Sequence, residues 1–200
     1  MLLNQVETAL MNNPVRAAIQ RHVEARWLRK LGGAVAGGRA LEIGCGQGTG
    51  VEIILDHFGA ARVDAFDLDP KMIRRAKQRL ARRGDRVDLW VGDVTAIPAE
   101  ADIYDAVFDV AIIHHVPDWR AALREVHRVL RPGGRFYAEE ILAAFILNPV
   151  VRRVLEHPLI DRFDARAFRE ALEATGLRVA GERALGRYVA WFVADKGPQP

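Results

Sequence analysis

The 200-residue sequence predicts an open, doubly wound α/β sheet, mostly parallel, with helices on both faces and one reversed strand. Three observations predict it. Strand and helix signals alternate along most of the chain. A glycine-rich loop follows the first strand directly, where such a sheet turns into its next helix. The last two strand segments are joined by a link too short for a crossover, so one of them must run antiparallel.

The elements follow in order. Asn13-Pro14 reads as a helix start, a cap with proline at the first helical position. Val15, Ala18, Ile19, Val23, Trp27 and Leu31 then recur at helical spacing, and Gly32–Gly38 breaks the helix. Arg39–Ile43 is the first strand. Val51, Ile54, Leu55 and Phe58 make a helix closed by Gly59. Val63–Phe66 is the second strand, and Asp69-Pro70 caps a helix carrying Met72, Ile73, Ala76 and Leu80. Val87–Val91 is the third strand. Ala106–Ile113 is the fourth, apolar apart from Asp109, as a strand covered on both faces should be. Asp118 caps a helix with Trp119, Leu123, Val126 and Leu130 on one face; Pro132-Gly133-Gly134 stops it, and Arg135–Ala138 opens the fifth strand. Asp164 starts a helix ending near Gly176. Leu177–Ala184 and Tyr188–Ala194 close the chain as two strands joined at Gly186.

Composition narrows the class. Half of the residues are hydrophobic and 28% are charged, which is ordinary for a soluble globular protein of one domain. Met1–Leu31 holds polar residues throughout, so no secretory leader is expected. The longest apolar stretch, Ile141–Leu147, is far below the roughly 20 residues that span a bilayer, and a cytoplasmic location is expected. Cys45 is the only cysteine, which excludes an intrachain disulfide and a cysteine metal cluster. No His/Asp/Glu group has metal-ligand spacing, so no metal is expected. Arg74, Arg75, Lys77, Arg79, Arg82 and Arg83 form a basic run. It lies in an amphipathic pattern without aromatic neighbours, so it reads as a solvated helix face rather than a nucleic-acid surface.

The chemistry-bearing feature is the loop Leu41-Glu42-Ile43-Gly44-Cys45-Gly46-Gln47-Gly48-Thr49-Gly50. Alternate glycines after a strand let the backbone turn sharply and come close to a ligand. The helix that follows offers free N–H groups. Thr49 stands where a dinucleotide fingerprint needs its third glycine, and no phosphate-loop lysine is present. Asp67 ends the second strand, 19 residues after Gly48. A carboxylate there can accept from both hydroxyls of a ribose. Asp93 ends the third strand, where it can accept from an adenine amino group. A glycine turn with acids at the ends of the next two strands outlines a site for an adenosine.

These residues carry a family resemblance. Leu41–Gly48, Val63–Met72, Val91–Val94, Tyr104–Val107 with His114–Asp118, and Glu125–Gly134 come in the order found in class I S-adenosylmethionine-dependent methyltransferases. Together they cover Arg39–Glu140, and the chain is similar to the small-molecule branch of that family (methyltransferase types 11 and 25), which includes enzymes acting on quinones and lipids. The resemblance implies a Rossmann-like sheet of seven strands whose last strand is inserted antiparallel. It also implies S-adenosyl-L-methionine as cofactor, with S-adenosyl-L-homocysteine as product. By this resemblance Glu42 and the loop at Gly44, Cys45, Gly46 and Gly48 face the methionine part. Asp67 takes the ribose, and Leu68 or Met72 packs on the adenine. Asp93 takes the adenine amino group with Val94 beside it, and Asp109 contacts the methionine end. The domain expected is 1–200, with a helical cap at 1–38, a cofactor-binding core at 39–140, and a substrate-side segment with the closing strands at 141–200.

Methyl transfer from a sulfonium is an in-line displacement, and the protein chiefly aligns the acceptor. A base is needed only where the acceptor must first lose a proton. The candidates at the ends of strands four and five are His114, Asp109 and Glu140, with His115 and Glu139 as neighbours. His114 is the preferred base, and His115 reads as structural. Asp109 has a second reading as a cofactor contact. Glu139 and Glu140 alternate across the strand, so only one can face the site. His22, His57, His127 and His157 read as structural, and Cys45 as a small loop filler. Acceptor choice falls to Met1–Leu31 and Ile141–Phe163; the apolar run from Ile141 reads equally as a lid over a lipophilic or aromatic acceptor and as a buried helix. The expected function is methyl transfer to a small molecule. The alternatives are a nucleic-acid or protein methyltransferase and a non-catalytic cofactor-binding protein. The fourth strand reads Asp109-Val110-Ala111-Ile112 and lacks the Asn/Asp-Pro-Pro-Tyr signature of base methylation, so nucleic acid is not the expected partner. Oligomeric state has no sequence signal.

Overall fold

A computed structural model describes residues 13–155 and 157–198. Residues 1–12 of the expected helical cap lie outside these, as do 199–200 at the end of the expected substrate-side segment. Seven strands form one sheet in the order β3-β2-β1-β4-β5-β7-β6. They are β1 Arg39–Ile43, β2 Arg62–Asp67, β3 Val87–Val91, β4 Tyr104–Val110, β5 Leu130–Ile141, β6 Leu177–Leu185 and β7 Val189–Lys196. Strands β1 to β5 pair parallel, and β7 runs antiparallel to both β5 and β6. The order reverses at β1, between β2 on one side and β4 on the other. This is the switch point at which open α/β sheets take ligands beyond their carboxyl ends.

The strands are buried on both faces because successive side chains point to opposite sides. Leu41, Ile43 and Val107 join one core with Trp119, Leu123 and Phe168. Ala40, Ala106 and Phe108 join the other with Val51, Phe58 and Tyr137. The covering helices are α1, which runs through Pro14–Ile19, a π-helical turn at Gln20–Glu24 and Ala25–Gly32; α2, Thr49–Ile53 with a π-helical turn at Ile54–Phe58; and α3, Pro70–Leu80. After β4 come α4, Trp119–Val129, the short α5, Ala143–Ile146, and α6, Ala165–Ala174. Asn13, Asp69, Asp118 and Asp164 cap their helices, each side chain accepting from a first-turn N–H.

Two strand bounds are corrected, and α1 does not bury all of its apolar residues: Val15, Ile19 and Val23, which recur at helical spacing, are exposed. The inward face carries Arg16, Gln20 and Glu24, because this end of the helix overhangs a cavity at the strand ends, which Arg16 and Gln20 line, rather than the sheet; Arg16 pairs with Glu24 and lies 3.1 Å from Glu139. Only beyond Glu24 do Ala25 and Leu28 enter the core. The fourth strand stops at Val110, not Ile113, because Ala111 takes a left-handed φ of 62° and turns the chain into a short 3-10 turn at Ile113–His115. The fifth strand begins at Leu130, which pairs with Tyr104 before a shift in register across the Pro-Gly-Gly turn. The basic run does line the outer face of α3 and the turn beyond it. Arg79 pairs with Glu52 and Arg83 with Asp56, both from α2. The Ile141–Leu147 segment is neither wholly buried nor wholly open: Leu142 and Ile146 are buried and Leu147 is exposed.

Lys196 anchors the end of β7. Its Nζ donates to Asp102 Oδ1 at 2.7 Å and to the carbonyls of His127 and Leu130 at 2.8 and 2.7 Å. Lys196→Met leaves the two carbonyls without this donor, and the expected loss is about 2–3 kcal/mol of unfolding free energy. The midpoint of a urea transition reads it; an unchanged midpoint shows that water replaces the ammonium at no cost.

Candidate active site

A cavity of about 380 Å³ opens at the carboxyl ends of β1 to β4, lined by Glu42 of β1, Asp67 of β2, Asp93 just beyond β3 and Val110 of β4. The glycine loop forms its floor. Gly44, Gly46 and Gly48 all have positive φ, at 67°, 52° and 89°, where a side chain would strain the backbone. Gly50 serves a different need: a Cβ there would lie 1.7 Å from Glu42 Oε1, so its absence is what lets Glu42 turn under the first helical turn of α2.

Glu42 is buried and lines the cavity, and its Oε2 has no partner among the described residues. Burial, with Asp67 nearby, pushes its carboxyl up to about 8. Asp67 sits at the tip of β2 and also lines the cavity. Its Oδ2 accepts from the Gly46 N–H and its Oδ1 from the Asp69 N–H, both at 2.8 Å. Each oxygen keeps a lone pair for a further donor. Burial raises its pKa, and the two backbone donors oppose that rise. Asp93, beyond β3, accepts from the N–H and hydroxyl of Thr95 through Oδ1. Leu68, Met72 and Val94 also line the cavity, with Met72 and Val94 buried and Leu68 exposed. Cys45 lines it as a thiol, its pKa raised well above the usual range by burial and by Glu42.

The residues expected to do chemistry are arranged otherwise than the sequence suggested. Asp109, His114 and Glu140 are all buried and none lines the cavity. They form a network behind its wall. Glu140 accepts from the N–H groups of Ile113 and His114 at 2.9 and 3.2 Å, and its Oε2 lies 2.6 Å from His114 Nδ1. Asp109 accepts from the Ile112 N–H at 3.0 Å and hydrogen-bonds Glu140. Two adjacent buried carboxyls cannot both ionise cheaply. Burial and the Glu140 charge push Asp109 well up, and burial carries Glu140 to about 7. Burial lowers His114, so its imidazole is neutral. Glu139 points the other way, accepting from Trp191 Nε1 at 2.8 Å and meeting Arg16. Neither glutamate reaches the main cavity. The histidine on the cavity wall is His115, together with Ile112, Val116 and Pro117. The reversal follows from the turn at Ala111. A 3-10 turn places successive side chains about 120° apart, so His114 swings inward to Glu140 as His115 faces the cavity.

The sequence reading missed Arg16 and Gln20 as cavity residues. Their spacing of four on a helix was visible, but only the packing of α1 across the strand ends shows that this polar face turns inward. His157, read as structural, lies in a connection without regular structure and stacks on His115 with ring centroids 4.7 Å apart.

The methyltransferase domain family matches residues 40–134, which hold the glycine loop, Asp67 and Asp93. The chain carries a class I S-adenosylmethionine-dependent methyltransferase domain. The ubiquinone biosynthesis O-methyltransferase of Xanthomonas axonopodis pv. citri is 37% identical over 119 residues, 58% of this chain and 49% of that protein. The malonyl-[acyl-carrier protein] O-methyltransferase of Hahella chejuensis is 33% identical over 142 residues, 69% of this chain and 50% of that one. The chain thus spans half or less of the length of these curated relatives. An S-adenosylmethionine-dependent methyltransferase from Mesorhizobium loti shares the fold, with a TM-score of 0.72 at 20% identity over 86% of this chain and 97% of that one. S-adenosylmethionine is the cofactor of this methyltransferase family, and the cavity fits it. The methyltransferase domain presents a buried Glu42 oxygen without a partner among the described residues, two lone pairs on Asp67, and positive-φ glycines at Gly44 and Gly46 that bring the backbone to the cavity. Among the described residues, no helix is long and apolar enough to cross a membrane.

Proposed function

We propose that the protein binds S-adenosylmethionine across the ends of β3, β2, β1 and β4 and methylates a small, lipophilic or aromatic acceptor at the β4 end. One observation carries this reading: Asp93, Asp67, Glu42 and Val110–Ile112 lie at or just past the ends of four adjacent strands, β3, β2, β1 and β4, and line one cavity. Three strand spacings span about 14 Å, the scale of an extended adenosine with an amino-acid tail.

In this reading Asp93 accepts from the adenine amino group with Val94 beside it, and Leu68 and Met72 pack on the ring. Asp67 holds the ribose hydroxyls through its two remaining lone pairs. Glu42 and the backbone of Gly44, Cys45 and Gly46 hold the methionine end, whereas Gly48 lies against Leu80 and Ala76 and shapes the turn rather than the cavity. Residues 39–140 serve as the cofactor-binding core and the segments on either side choose the acceptor. When bound, the cofactor supplies an activated methyl carbon for in-line displacement. The chain's contribution is alignment and exclusion of water by Ile112, Val116 and Pro117. Arg16 and Gln20 reach the same cavity from α1 and offer hydrogen-bond donors to a polar atom of the acceptor. His115 is the titratable group placed to touch an acceptor. Asp109, His114 and Glu140 act one layer back, fixing the turn that carries it.

The acceptor class rests on the apolar residues Ile112, Val116 and Pro117 beyond β4 and on the relative named for O-methylation in ubiquinone biosynthesis. Calorimetric titration tests the cofactor half: S-adenosylmethionine is expected to bind stoichiometrically and NAD to give no heat. The acceptor half is tested by incubating the protein with methyl-labelled cofactor and cell extract, then partitioning the label. Label in the organic phase supports the reading. Label only in protein or nucleic acid overturns it.

A further inference from the structure

We propose that His114, His115 and His157 form a binding site for a divalent transition metal, with zinc the best match. This goes beyond methyl transfer and does not depend on it. One ring nitrogen from each histidine lies within 4.8 Å of those from the other two, in a buried position. His114 and His115 are adjacent on the Ile113–His115 turn, and His157 arrives from a segment 42 residues further on.

The second observation concerns His114. Its Nδ1 faces Glu140 Oε2 at 2.6 Å, which fixes Nδ1 as the protonated nitrogen beside a carboxylate. Its Nε2 is then a bare acceptor, and it is buried with no hydrogen-bond partner among the described residues. A carboxylate on the far nitrogen of an imidazole is the usual outer partner of a metal-bound histidine, holding tautomer and ring direction. Glu140 is itself held by the N–H groups of Ile113 and His114, so the orientation is set by the backbone.

Three imidazoles with an open fourth position suit zinc, whose Zn–N bonds of roughly 2.0–2.1 Å place tetrahedral nitrogens roughly 3.3 Å apart. Copper(II), nickel and cobalt take the same donors. The nitrogens therefore need to close by up to about 1.5 Å, and the stacked rings of His115 and His157, now 15° apart, need to tilt so that their lone pairs converge; the adjustment falls to His157, which lies outside any helix or strand. Glu140 supplies negative charge behind the site. Arg162 opposes it: its guanidinium donates to the carbonyls of His114 at 2.7 Å and Val116 at 3.3 Å, close to the cluster. The carbonyl contacts direct that charge toward backbone oxygen. Because His115 also lines the large cavity, a metal here stands one side chain away from it.

The test uses tag-free full chain, stripped with a chelator and titrated with Zn²⁺ by calorimetry and with Co²⁺ by visible spectroscopy, with and without S-adenosylmethionine. One equivalent per chain is expected in both cases, with Co²⁺ giving the intense visible bands of a four-coordinate nitrogen site. His157→Ala is expected to weaken Zn²⁺ binding at least tenfold with an unchanged metal-free unfolding midpoint, and His57→Ala to leave it as it is. Where His157→Ala does not fold, the wild-type Co²⁺ spectrum and a rise in unfolding midpoint with Zn²⁺ decide. Less than half an equivalent, an octahedral Co²⁺ spectrum, or equal affinity in folded His157→Ala overturns the proposal. Metal binding without cofactor binding, or the reverse, separates its failure from that of the methyltransferase reading.

Discussion

Asp67→Ala is expected to lower the affinity for S-adenosylmethionine by a factor on the order of 100 to 10,000. Hydrogen bonds to a charged acceptor contribute roughly 1.5–3 kcal/mol each, and two ribose hydroxyls stand to lose theirs. The substitution also releases the Gly46 and Asp69 N–H groups, which Asp67 now holds at 2.8 Å each. Gly46 lies in the left-handed stretch of the loop, so the cradle loosens with it. Asp67→Asn keeps one acceptor oxygen and is expected to fall between the two. Calorimetric titration of each variant reads the effect, with the unfolding midpoint as the check that the fold survives. A loss under tenfold in a folded Asp67→Ala protein removes Asp67 from the ribose.

Glu42→Gln is expected to make the cofactor-free protein more stable than the parent above pH 8, and about equal to it near pH 5. Glu42 titrates near 4.5 in the unfolded chain and at about 8 in the folded one. Between these values the unfolded state has released its proton and the folded state still holds one. The folded state therefore binds more protons, and stability falls as pH rises through the window. At roughly 1.4 kcal/mol per pH unit the parent loses several kcal/mol to this one group. Glu139 and Glu140, at about 8 and about 7, act with the same sign, so a reduced slope remains in the variant. Urea transitions at pH 5, 7 and 8.5 measure it. The same substitution is expected to weaken the cofactor, because Glu42 lines the cavity where a cationic amino-acid tail would lie and one of its oxygens has no partner among the described residues. A variant with the parent's pH slope shows that Glu42 is already ionised in the folded protein.

The cofactor side of this protein was legible because each signal is local. Gly44, Gly46 and Gly48 are required by backbone angles that neighbouring residues set, and Asp67 and Asp93 follow strands whose ends the apolar pattern marks. The hydrophobic runs likewise marked all seven strands, and the tight link at Gly186 gave away the reversed one. The chemistry side was not legible, because it depends on rotations that accumulate. A single left-handed residue, Ala111, ends β4 early and decides that His115 rather than His114 meets the cavity. The helical spacing on α1 does not show which face turns inward: a helix ordinarily buries its apolar stripe, yet here Val15, Ile19 and Val23 are exposed and Arg16 and Gln20 line the cavity.

What the sequence determined by itself is therefore the sheet, its glycine turn and the two carboxylates that mark an adenosine, all of them consequences of contacts between near neighbours and of periodicity. What only the tertiary structure decided is which side chains converge from distant segments. Arg16 meets Glu139 across 123 residues, and His157 meets His115 across a 42-residue separation from the turn. No spacing rule encodes such meetings, because they are set by how a helix and a loop pack over the ends of strands, and packing is a property of the whole chain.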